Sequence, residues 1–334
     1  MNFVKYILLF LVFISCASKR GTIIAHRGAS GYLPEHTLEG VAMAHSWNID
    51  YIEPDIVMTK DNRLVVLHDI HLDTTTNVAA VFPNRKRSDG RFYAIDFKLD
   101  EIKKLKVHER IDLKTQKQYY PNRFMKEKKY FRVPTLSEFI EFVQGLNRTR
   151  SKKIGIYPEI KSPEFHKKEG KDITKKVVAL LRAYGYDKEG QKIFIQCFYP
   201  PTLKRLKVEF KVKMPLVLLI ADNSWNESSI DYDYYQTEEG LKEVSKYVEG
   251  VGPWMNQLYK VENDEGEKRI VKTNFVEWAH KHGLKVHPYT HRLDALPDGF
   301  RTSKELLDFM FGYLKIDGIF SDFADTVVNY YEGS

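Results

Sequence analysis

Four short groups of charged residues are the part of this chain that is best suited to chemistry. They are His26-Arg27-Gly28, Glu53-Pro54-Asp55, His68-Asp69 and Glu159-Ile160-Lys161. Histidines, carboxylates and cations together are the groups that a phosphate ester needs for binding and proton transfer. Each group lies at or just after a short apolar run. If those runs are strands of a parallel barrel, their C-terminal ends bring all four groups to one face, where barrel enzymes hold their active sites.

Three of the carboxylates are placed to bind a metal ion. Side chains two positions apart in a strand share a face, so Glu53 and Asp55 point the same way, as do Glu159 and Lys161. Burying such charges unpaired would cost several kcal/mol per ion. Glu53, Asp55 and Glu159 form an all-oxygen set, which suits one Ca²⁺ or Mg²⁺ better than Zn²⁺. The alternative is a carboxylate cluster that Arg27 and Lys161 neutralise through ion pairs.

Two histidines are placed for acid and base catalysis. His26 ends the first apolar run and His68 follows the run at 64–67, so both are expected at the same mouth of the barrel. One would activate the attacking oxygen while the other protonates the leaving alkoxide. Arg27 and Lys161 would bind the phosphodiester, the first as a planar fork and the second as a point charge. Other histidines have no comparable neighbours in the sequence and are interpreted as non-catalytic, including His36, His45, His280, His282 and His291.

The elements that must position these groups alternate along the chain. Apolar β-branched runs predict eight strands at 22–25, 51–57, 154–160, 193–196, 216–220, 248–251, 284–289 and 318–321. Helical patterns lie between them at 37–47, 136–145, 173–184, 201–210, 239–247, 272–282 and 303–313. Strict alternation of eight strands with helices favours an α/β fold of the closed (β/α)8 TIM-barrel type over an open doubly wound sheet.

One connection breaks this alternation. The residues from about 70 to 132, after the second strand, lack a long apolar period and contain a single short helical candidate at 99–109. A connection of this length exceeds an ordinary loop, which predicts a small insertion subdomain over the barrel mouth. The alternative is a solvated excursion without function. A second irregular stretch at 221–236 carries Trp225 and is expected at the rim of the barrel.

The first residues have the pattern of a secretion signal. An apolar run at 6–14 is too short to cross a bilayer but has the length of a signal-peptide core. It leads into Phe-Ile-Ser-Cys at 13–16, which is similar to a bacterial lipoprotein cleavage site. These features predict a lipoprotein signal peptide over 1–15, a lipidated Cys16 and a barrel domain over 16–334. The alternative is an ordinary cleaved signal with an incidental cysteine. Lipidation of Cys16 would leave Cys197 as a lone thiol, so no internal disulfide is expected.

The composition restricts the class of protein further. The 334-residue chain is 43% hydrophobic, which is enough for a large core and argues against disorder. Its formal net charge is +7, but the basic residues are interspersed with acidic ones. The sequence shows no clustered basic stripe with aromatic residues, so no nucleic-acid partner is expected. The positive charge instead favours solubility and the attraction of anionic substrates.

With these motifs in place, the chain resembles the glycerophosphodiester phosphodiesterase family, in particular its longer secreted bacterial branch. The resemblance rests on AHRGASGYLPEHT at 25–37, YIEPDIVMTKDNRLVVLHD at 51–69, YPEIKSP at 157–163, VHPYT at 286–290 and DGIFSDF at 317–323. These segments follow the family's order over nearly the whole mature chain. The resemblance implies a TIM barrel with a small insertion after the second strand. It also implies hydrolysis of glycerophosphodiesters, such as glycerophosphocholine and glycerophosphoethanolamine, to sn-glycerol 3-phosphate and an alcohol.

The resemblance also implies roles for individual residues. It makes His26 and His68 the catalytic pair, Glu53, Asp55 and Glu159 the metal ligands, and Arg27 and Lys161 the phosphate contacts. Glu35 and Asp69 match further family positions, with expected roles in orienting the histidines or the glycerol hydroxyls. Phe198 and Tyr289 are expected as apolar pocket walls. Two departures from shorter family members, His36 in place of Asn and Tyr289 in place of Trp, are interpreted as marks of the secreted branch.

The route of the reaction and two other functions stay open at this point. The nucleophile is either water or the neighbouring glycerol 2-hydroxyl, and tethering beside phosphorus favours the second, which would give a cyclic phosphate that water then opens. One alternative function is a surface lipoprotein that mainly binds a partner on an enzyme-like scaffold. Another is a related barrel that cleaves intact phospholipids. The expected location is a bacterial cell envelope, with the lipid in the outer membrane or in a membrane that faces the periplasm.

Overall fold

The computed structural model describes residues 20–128, 130–264 and 267–333, and eight strands of this part form the central barrel. Pro54 and Pro158 interrupt the second and third barrel strands, because proline has no N–H for the strand ladder. The barrel strands are Thr22–Ala25, Tyr51–Ile52 with Asp55–Met58, Gly155–Ile156 with Glu159–Ile160, Ile195–Cys197, Leu216–Ile220, Gly250–Pro253, Lys285–Val286 and Gly318–Ser321.

These strands are parallel and close on themselves. Thr22 lies opposite Gly318, so the first barrel strand pairs with the eighth, and its other edge pairs with the second. Parallel pairing continues from the second strand to the seventh. Backbone hydrogen bonds join the seventh to the eighth, with the N–H of Asp317 donating to the carbonyl of Val286 at 3.0 Å. The TIM barrel predicted from the alternation of strands and helices is confirmed.

Helices cover the outside of the barrel and begin at local sequence signals. Thr135 caps one of them: its side chain accepts the N–H of Glu138, and the Glu138 side chain returns to the N–H of Thr135. The buried face of this helix consists of Leu136, Phe139, Ile140 and Val143, at helical spacing. The α-helices over the barrel are Leu38–Ser46, Leu136–Thr149, Pro163–Lys168, Ile173–Ala183, Pro200–Val208, Glu238–Val244, Phe275–Lys281, Ser303–Leu307 and Ala324–Glu332.

The long connection after the second strand forms a subdomain with its own apolar cluster. It begins with Leu64–Val66, which pairs antiparallel with Asp55–Met58. Short helices Val78–Val81 and Leu99–Ile102 follow. The buried cluster beneath them includes Leu72, Phe92, Phe97, Leu105 and Phe131. The connection is therefore a packed unit, in contrast to the alternative of a solvated excursion.

The helix predicted over 99–109 is wrong beyond Ile102. Val107 forms bridges with Thr76 on one side and with Phe131 on the other. Val107 is buried by this pairing, and a β-branched side chain packs well on an extended backbone. Pairing between distant segments has therefore overridden the local helical pattern.

Further differences lie in the last third of the chain. Strands Tyr259–Asp264 and Glu267–Lys272 form an antiparallel hairpin that the sequence did not predict. Lys272 is paired in this hairpin, so the helix predicted over 272–282 begins only at Phe275. The helix predicted over 303–313 changes to a wider π-helical turn at Asp308–Leu314. The final helix Ala324–Glu332 was also not predicted.

The membrane-related predictions fall on the N-terminal residues. The predicted signal peptide and Cys16 lie outside the described residues. Within the described part of the chain, every helix falls short of the length and apolar character that a bilayer span requires. The lipid anchor stays a prediction.

Candidate active site

Side chains inside the barrel lie in layers, and this layering positions the site. A buried apolar layer fills the barrel interior and consists of Ile24, Tyr157, Phe194, Val217 and Phe320. The next inward positions along the same strands are two residues further on. On four of these strands they are the polar residues His26, Glu159 and Gln196 and the apolar residue Leu219. The apolar layer thus forms a floor, and polar groups follow it at the C-terminal mouth, as in barrel enzymes.

A cavity of about 280 Å³ opens above this floor. It is lined by most of the residues that the sequence singled out: His26, Arg27, Glu53, His68, Glu159, Lys161, Phe198 and Tyr289. Residues that the sequence analysis did not assign to the site also line it, among them Gln196, Glu227, Trp254 and Arg292. Trp225, expected at the rim, lies in the cavity wall with its ring centroid 5.0 Å from that of Trp254.

The three predicted metal ligands come together in this mouth. Oxygen atoms of Glu53, Asp55 and Glu159 lie within 4.8 Å of one another, and all three side chains are buried. Asp55 is directly opposite Glu159 in the parallel pair of the second and third strands. Oε2 of Glu53 accepts the backbone N–H of Arg27 at 2.8 Å. Oδ2 of Asp55 lies 2.8 Å from Nε2 of His36, whereas its buried Oδ1 has no hydrogen-bond partner among the described residues.

The electrostatics of this cluster favour a bound cation. Burial and the charge of Asp55 raise the pKa of Glu53 well above its usual value. Burial also raises the pKa of Glu159 well above the usual value, although Lys161 opposes this shift. Burial acts in the same direction on Asp55, but the electrostatic effect of His68, the hydrogen bond to His36 and the charge of Arg27 outweigh it and hold the pKa of Asp55 well below the usual value. An oxygen-only donor set with an unpartnered carboxylate oxygen fits a divalent cation.

His26 is held by a carboxylate from the end of the eighth strand. Its Nδ1 lies 2.5 Å from Oδ1 of Asp322. The other oxygen of Asp322 accepts hydrogen bonds from Arg123 at 2.8 Å and from Arg292 at 2.9 Å. Burial and the charge of Arg27 lower the pKa of His26 to about 4, so its ring is neutral at neutral pH. The sequence analysis did not assign Asp322 to the site. Its only signals there were its place in the segment DGIFSDF and its position directly after a predicted strand.

His68 is held in a similar way by its neighbour in the chain. Its Nδ1 lies 2.6 Å from Oδ1 of Asp69. Oδ2 of Asp69 accepts hydrogen bonds from Arg110 at 2.7 Å and from the Thr74 hydroxyl at 2.6 Å. Burial and the charges of Arg27 and Lys161 lower the pKa of His68. A carboxylate at Nδ1 favours the tautomer with its proton on Nδ1 and a free Nε2.

The two predicted phosphate contacts are embedded in ion pairs. Nη1 of Arg27 lies 3.0 Å from Oε2 of Glu35, and its Nε lies 3.3 Å from Oδ2 of Asp55. Nζ of Lys161 lies 2.7 Å from Oε1 of Glu159 and 3.2 Å from Oε1 of Glu227. Both cations still border the cavity. They can therefore face an anion there while their other contacts fix them.

His36, interpreted from the sequence as non-catalytic, contacts the site in the folded chain. Its Nε2 lies 2.8 Å from Asp55, one of the predicted metal ligands. The backbone of His36 is left-handed, with φ 64°, and its N–H donates to the carbonyl of Arg27 at 3.0 Å. This turn folds the segment back over the second strand, a placement that no local sequence pattern indicates.

The apolar part of the wall is aromatic. The rings of Phe198 and Tyr289 are nearly perpendicular, with centroids 5.8 Å apart. The hydroxyl of Tyr289 donates to the carbonyl of Ile220 at 2.9 Å, which fixes the ring against the fifth strand. Nζ of Lys161 lies 5.1 Å from the centroid of Phe198. An uncharged part of a ligand can therefore lie beside the charged groups.

Comparison with known proteins identifies the family. The chain belongs to the glycerophosphoryl diester phosphodiesterase family, whose model matches residues 26–326. A glycerophosphodiester phosphodiesterase of Haemophilus influenzae is 44% identical over 327 residues, which cover 93% of this chain and 90% of the relative. One of Treponema pallidum is 35% identical over 332 residues, which cover 94% and 92%.

Solved structures show the same fold. A putative glycerophosphoryl diester phosphodiesterase of Silicibacter pomeroyi has a TM-score of 0.70 at 20% identity and covers 94% of each chain. An Oleispira antarctica phosphodiesterase, solved with the product sn-glycerol-3-phosphate, has a TM-score of 0.61 at 19% identity and covers 93% of this chain and 96% of its own.

Proposed function

We propose that this member of the family hydrolyses glycerophosphodiesters to sn-glycerol 3-phosphate and an alcohol. The observation that carries the proposal is the meeting of His26, His68, Arg27 and Lys161 with a buried carboxylate cluster on one cavity. Such a site offers acid and base groups, positive charge for a phosphodiester and oxygen ligands for a metal. The names of the relatives in Haemophilus influenzae and Treponema pallidum agree with this activity.

In this proposal the substrate phosphate binds between two fixed cations. Arg27 offers a planar guanidinium that Glu35 and Asp55 hold in place, and Lys161 offers a point charge. Glu53, Asp55 and Glu159 would hold one divalent cation, Ca²⁺ or Mg²⁺. When bound, that ion supplies Lewis-acid stabilisation of the charge that develops on a phosphate oxygen.

The two histidines transfer the protons. With Nδ1 of each ring directed at a carboxylate, Nε2 is the free nitrogen. One ring takes the proton of the attacking oxygen, and the other donates a proton to the leaving alkoxide oxygen. The negative charge of a bound phosphodiester raises the pKa of a neighbouring histidine, which helps the acid to hold its proton. The attacking oxygen is water or the glycerol 2-hydroxyl, and the tethered hydroxyl has the advantage of proximity.

The remaining assignments concern orientation and the alcohol. Asp69 orients His68 through the contact at Nδ1, and Glu35 orients Arg27. Phe198 and Tyr289 form an apolar wall for the glycerol or the alcohol. The aromatic wall is compatible with several alcohols, among them choline and ethanolamine.

The proposal for location rests on the N-terminal sequence alone. Cys16 follows an apolar signal-like run, so we place its thiol in a lipid linkage, with fatty acyl chains such as palmitate, after removal of residues 1–15. The protein would then be anchored in a membrane of a bacterial envelope, with its barrel in the aqueous space beside it. Two partners follow: a soluble glycerophosphodiester in the cavity and a membrane at the lipid.

The decisive experiment measures glycerol 3-phosphate release by the purified chain from residue 17 onward. Glycerophosphocholine is the substrate, with Ca²⁺, with Mg²⁺ and with a chelator. His26→Ala is expected to lower the rate by about 10²- to 10⁴-fold, because a positioned proton-transfer group is lost. His280→Ala is the matched control, since His280 is half-exposed and pairs with Asp317 outside the cavity.

The same assay separates the alternatives. Metal-dependent release that His26→Ala removes and His280→Ala retains supports the proposal. A folded wild-type protein that releases nothing from any glycerophosphodiester overturns it and favours the lipoprotein that mainly binds a partner. Cleavage of intact phospholipid vesicles with no action on glycerophosphocholine also overturns it and favours the phospholipase-like relative.

A further inference from the structure

The two histidines of the cavity have the same three-part support. In each case Nδ1 faces one oxygen of a carboxylate, and the other oxygen of that carboxylate accepts a hydrogen bond from an arginine. The first chain of contacts is His68, Asp69 and Arg110, with distances of 2.6 Å and 2.7 Å. The second is His26, Asp322 and Arg123, with distances of 2.5 Å and 2.8 Å.

Arg110 is fixed by contacts on both sides. Its Nη1 donates to Oδ2 of Asp69, while Nε and Nη2 donate to the two oxygens of Glu35 at 3.0 Å and 2.6 Å. Glu35 in turn accepts from Arg27 at 3.0 Å. Arg110 therefore links the partner of His68 to the partner of a proposed phosphate contact.

Arg123 is fixed even more completely. Its Nε and Nη2 donate to both oxygens of Asp294, at 2.8 Å and 3.0 Å, and its Nη1 donates to the carbonyl of Ser30 at 3.3 Å. Its guanidinium also lies 3.7 Å from the ring centroid of Tyr120. Only 5% of the side chain is exposed. These contacts leave Arg123 a single orientation toward Asp322.

Both arginines come from the insertion, and neither lines the cavity. Their carboxylate partners, Asp69 and Asp322, also lie behind the cavity wall and do not line it. Contact with a substrate in this cavity is thus made by the histidines and not by the arginines. The insertion reaches the reaction only through the two carboxylates.

We propose that Arg110 and Arg123 are positioning residues through which the insertion orients both catalytic histidines. This inference rests on the proposed function, because it takes His26 and His68 as the proton-transfer groups. It gives the insertion a role in catalysis that is separate from covering the barrel mouth.

The physical reason lies in the two oxygens of each carboxylate. Each far oxygen accepts one N–H from a guanidinium whose fork is fixed on another carboxylate, Arg110 on Glu35 and Arg123 on Asp294. A carboxylate held in this way does not rotate freely, so its near oxygen stays in line with Nδ1 of the histidine. Without Arg110, the carboxylate of Asp69 loses its arginine counter-charge. Without Arg123, Asp322 keeps only Arg292 on its far oxygen, and in both cases the carboxylate gains other orientations. The histidine then loses the contact that fixes its tautomer and the direction of Nε2.

Another arginine of the insertion provides a matched control. Arg91 donates from Nε and Nη2 to both oxygens of Asp73, at 2.9 Å and 2.8 Å. Its pair with Asp73 is as well formed as those of Arg110 and Arg123, but Asp73 makes no hydrogen bond to His26 or His68. A variant of Arg91 therefore removes an equivalent structural pair and leaves every hydrogen bond of the two histidine supports in place.

The experiment compares Arg110→Gln, Arg123→Gln and Arg91→Gln in the full mature chain. Steady-state hydrolysis of glycerophosphocholine gives kcat and KM, and thermal unfolding shows how much each variant loses in stability. NMR spectra of isotope-labelled histidine report the tautomer and hydrogen bonding of each ring, with His26 and His68 assigned among the 11 histidines through their alanine variants.

We expect each supporting arginine to act on its own histidine. Arg110→Gln should change the ring signals of His68 and leave those of His26, and Arg123→Gln should do the reverse. In both variants kcat should fall by about 10- to 100-fold, as for other groups that orient a reacting side chain. KM should change little in Arg123→Gln and should rise in Arg110→Gln, because Arg110 also holds Glu35, the partner of Arg27. Arg110→Lys should recover part of kcat, because it restores the charge but not the fork. Arg91→Gln should leave kcat and both sets of signals unchanged.

A milder variant keeps the test valid if removal of a buried arginine prevents folding. Thr74→Val removes only the second donor to Oδ2 of Asp69 and keeps the shape of the side chain. It should perturb the His68 signals and lower kcat by less than Arg110→Gln does. The proposal is overturned if folded arginine variants keep both sets of histidine signals, or if kcat falls equally in Arg91→Gln. Because the NMR signals can be recorded on an inactive protein, failure of the proposed phosphodiesterase activity is recognised separately.

Discussion

Nζ of Lys161 lies 2.7 Å from Oε1 of Glu159, so a proposed phosphate contact also neutralises a proposed metal ligand. Arg27 stands in a similar relationship to Asp55 at 3.3 Å. The cluster therefore has both features that the sequence left as alternatives, a set of oxygen ligands for a cation and internal ion pairs. With Glu53 included, three carboxylates face two cations. These five side chains together carry an excess of one negative charge. A bound divalent cation would change this to an excess of one positive charge, which attracts the negative charge of a phosphodiester.

Metal binding should stabilise the folded protein. Addition of Ca²⁺ or Mg²⁺ is expected to raise the Tm, by an amount equivalent to about 2.7 kcal/mol when the ion is at about 100 times its Kd. Asp55→Asn should remove most of this shift, because Oδ1 of Asp55 is a buried oxygen without a partner in the described structure. Differential scanning calorimetry with and without chelator measures it. Asp61→Asn, outside the cluster, is the control, and an equal shift in Asp55→Asn would exclude this site.

The protein should lose stability in acid because of buried neutral histidines. Burial lowers the pKa of His287 from 6.5 to about 4. Between these two values the unfolded chain binds a proton that the folded protein does not, so the free energy of unfolding falls as the pH falls through this range. The full shift corresponds to roughly 3 kcal/mol. His287→Gln should therefore show a shallower loss between pH 6.5 and 4, measured by urea unfolding.

His280 provides the control of opposite sign. A hydrogen bond to Asp317 raises the pKa of His280 above 6.5, so its protonated form favours the folded state. That contribution is present below pH 6.5 and is lost as the pH rises through the folded-state pKa. His280→Gln should consequently make the protein less stable in acid relative to wild type. If the free energy of unfolding changed with pH in the same way in wild type, His287→Gln and His280→Gln, neither histidine would be responsible for the acid sensitivity.

The turn after His26 should tolerate only glycine at position 28. Gly28 has φ +84°, and a Cβ there would lie 3.1 Å from the carbonyl carbon of Gly40 and 3.2 Å from the nitrogen of Val41. Gly28→Ala is expected to lower the free energy of unfolding by about 1–3 kcal/mol. Gly90→Ala is the matched control, since Gly90 has φ +83° but open space around it. Equal losses in the two variants would show that backbone strain, and not the close approach of the chains, determines the cost.

The lipid anchor should depend on one atom, the sulfur of Cys16. In a bacterial host, the wild-type protein is expected in the membrane fraction and labelled by a palmitate analogue. Cys16→Ser should abolish labelling and release the protein into the soluble envelope fraction, because serine cannot form the thioether. Cys197→Ser is the control for unspecific acylation, since Cys197 is buried. Retention of label in Cys16→Ser would contradict the proposed anchor.

Local sequence patterns determine the bounds of several barrel strands. Strands Thr22–Ala25, Leu216–Ile220 and Gly318–Ser321 have the predicted bounds, because each is a short apolar run between polar turns. The helix predicted over 99–109 fails because the burial of Val107 depends on Thr76 and Phe131, which are distant in the chain. A hydrophobic pattern in a short stretch of sequence contains no information about pairing with such distant segments.

The sequence by itself determined the alternation of strands and helices, and with it the barrel and the face on which the charged motifs meet. This was possible because strand ends and side-chain alternation are local properties. The tertiary structure alone decided which side chain forms a hydrogen bond or ion pair with each site residue. Asp322 reaches His26 from the other end of the chain, Arg110 and Arg123 reach inward from the insertion, and His36 turns back onto Asp55. These contacts join residues that are far apart in sequence, and closure of the barrel and packing of the insertion bring them together.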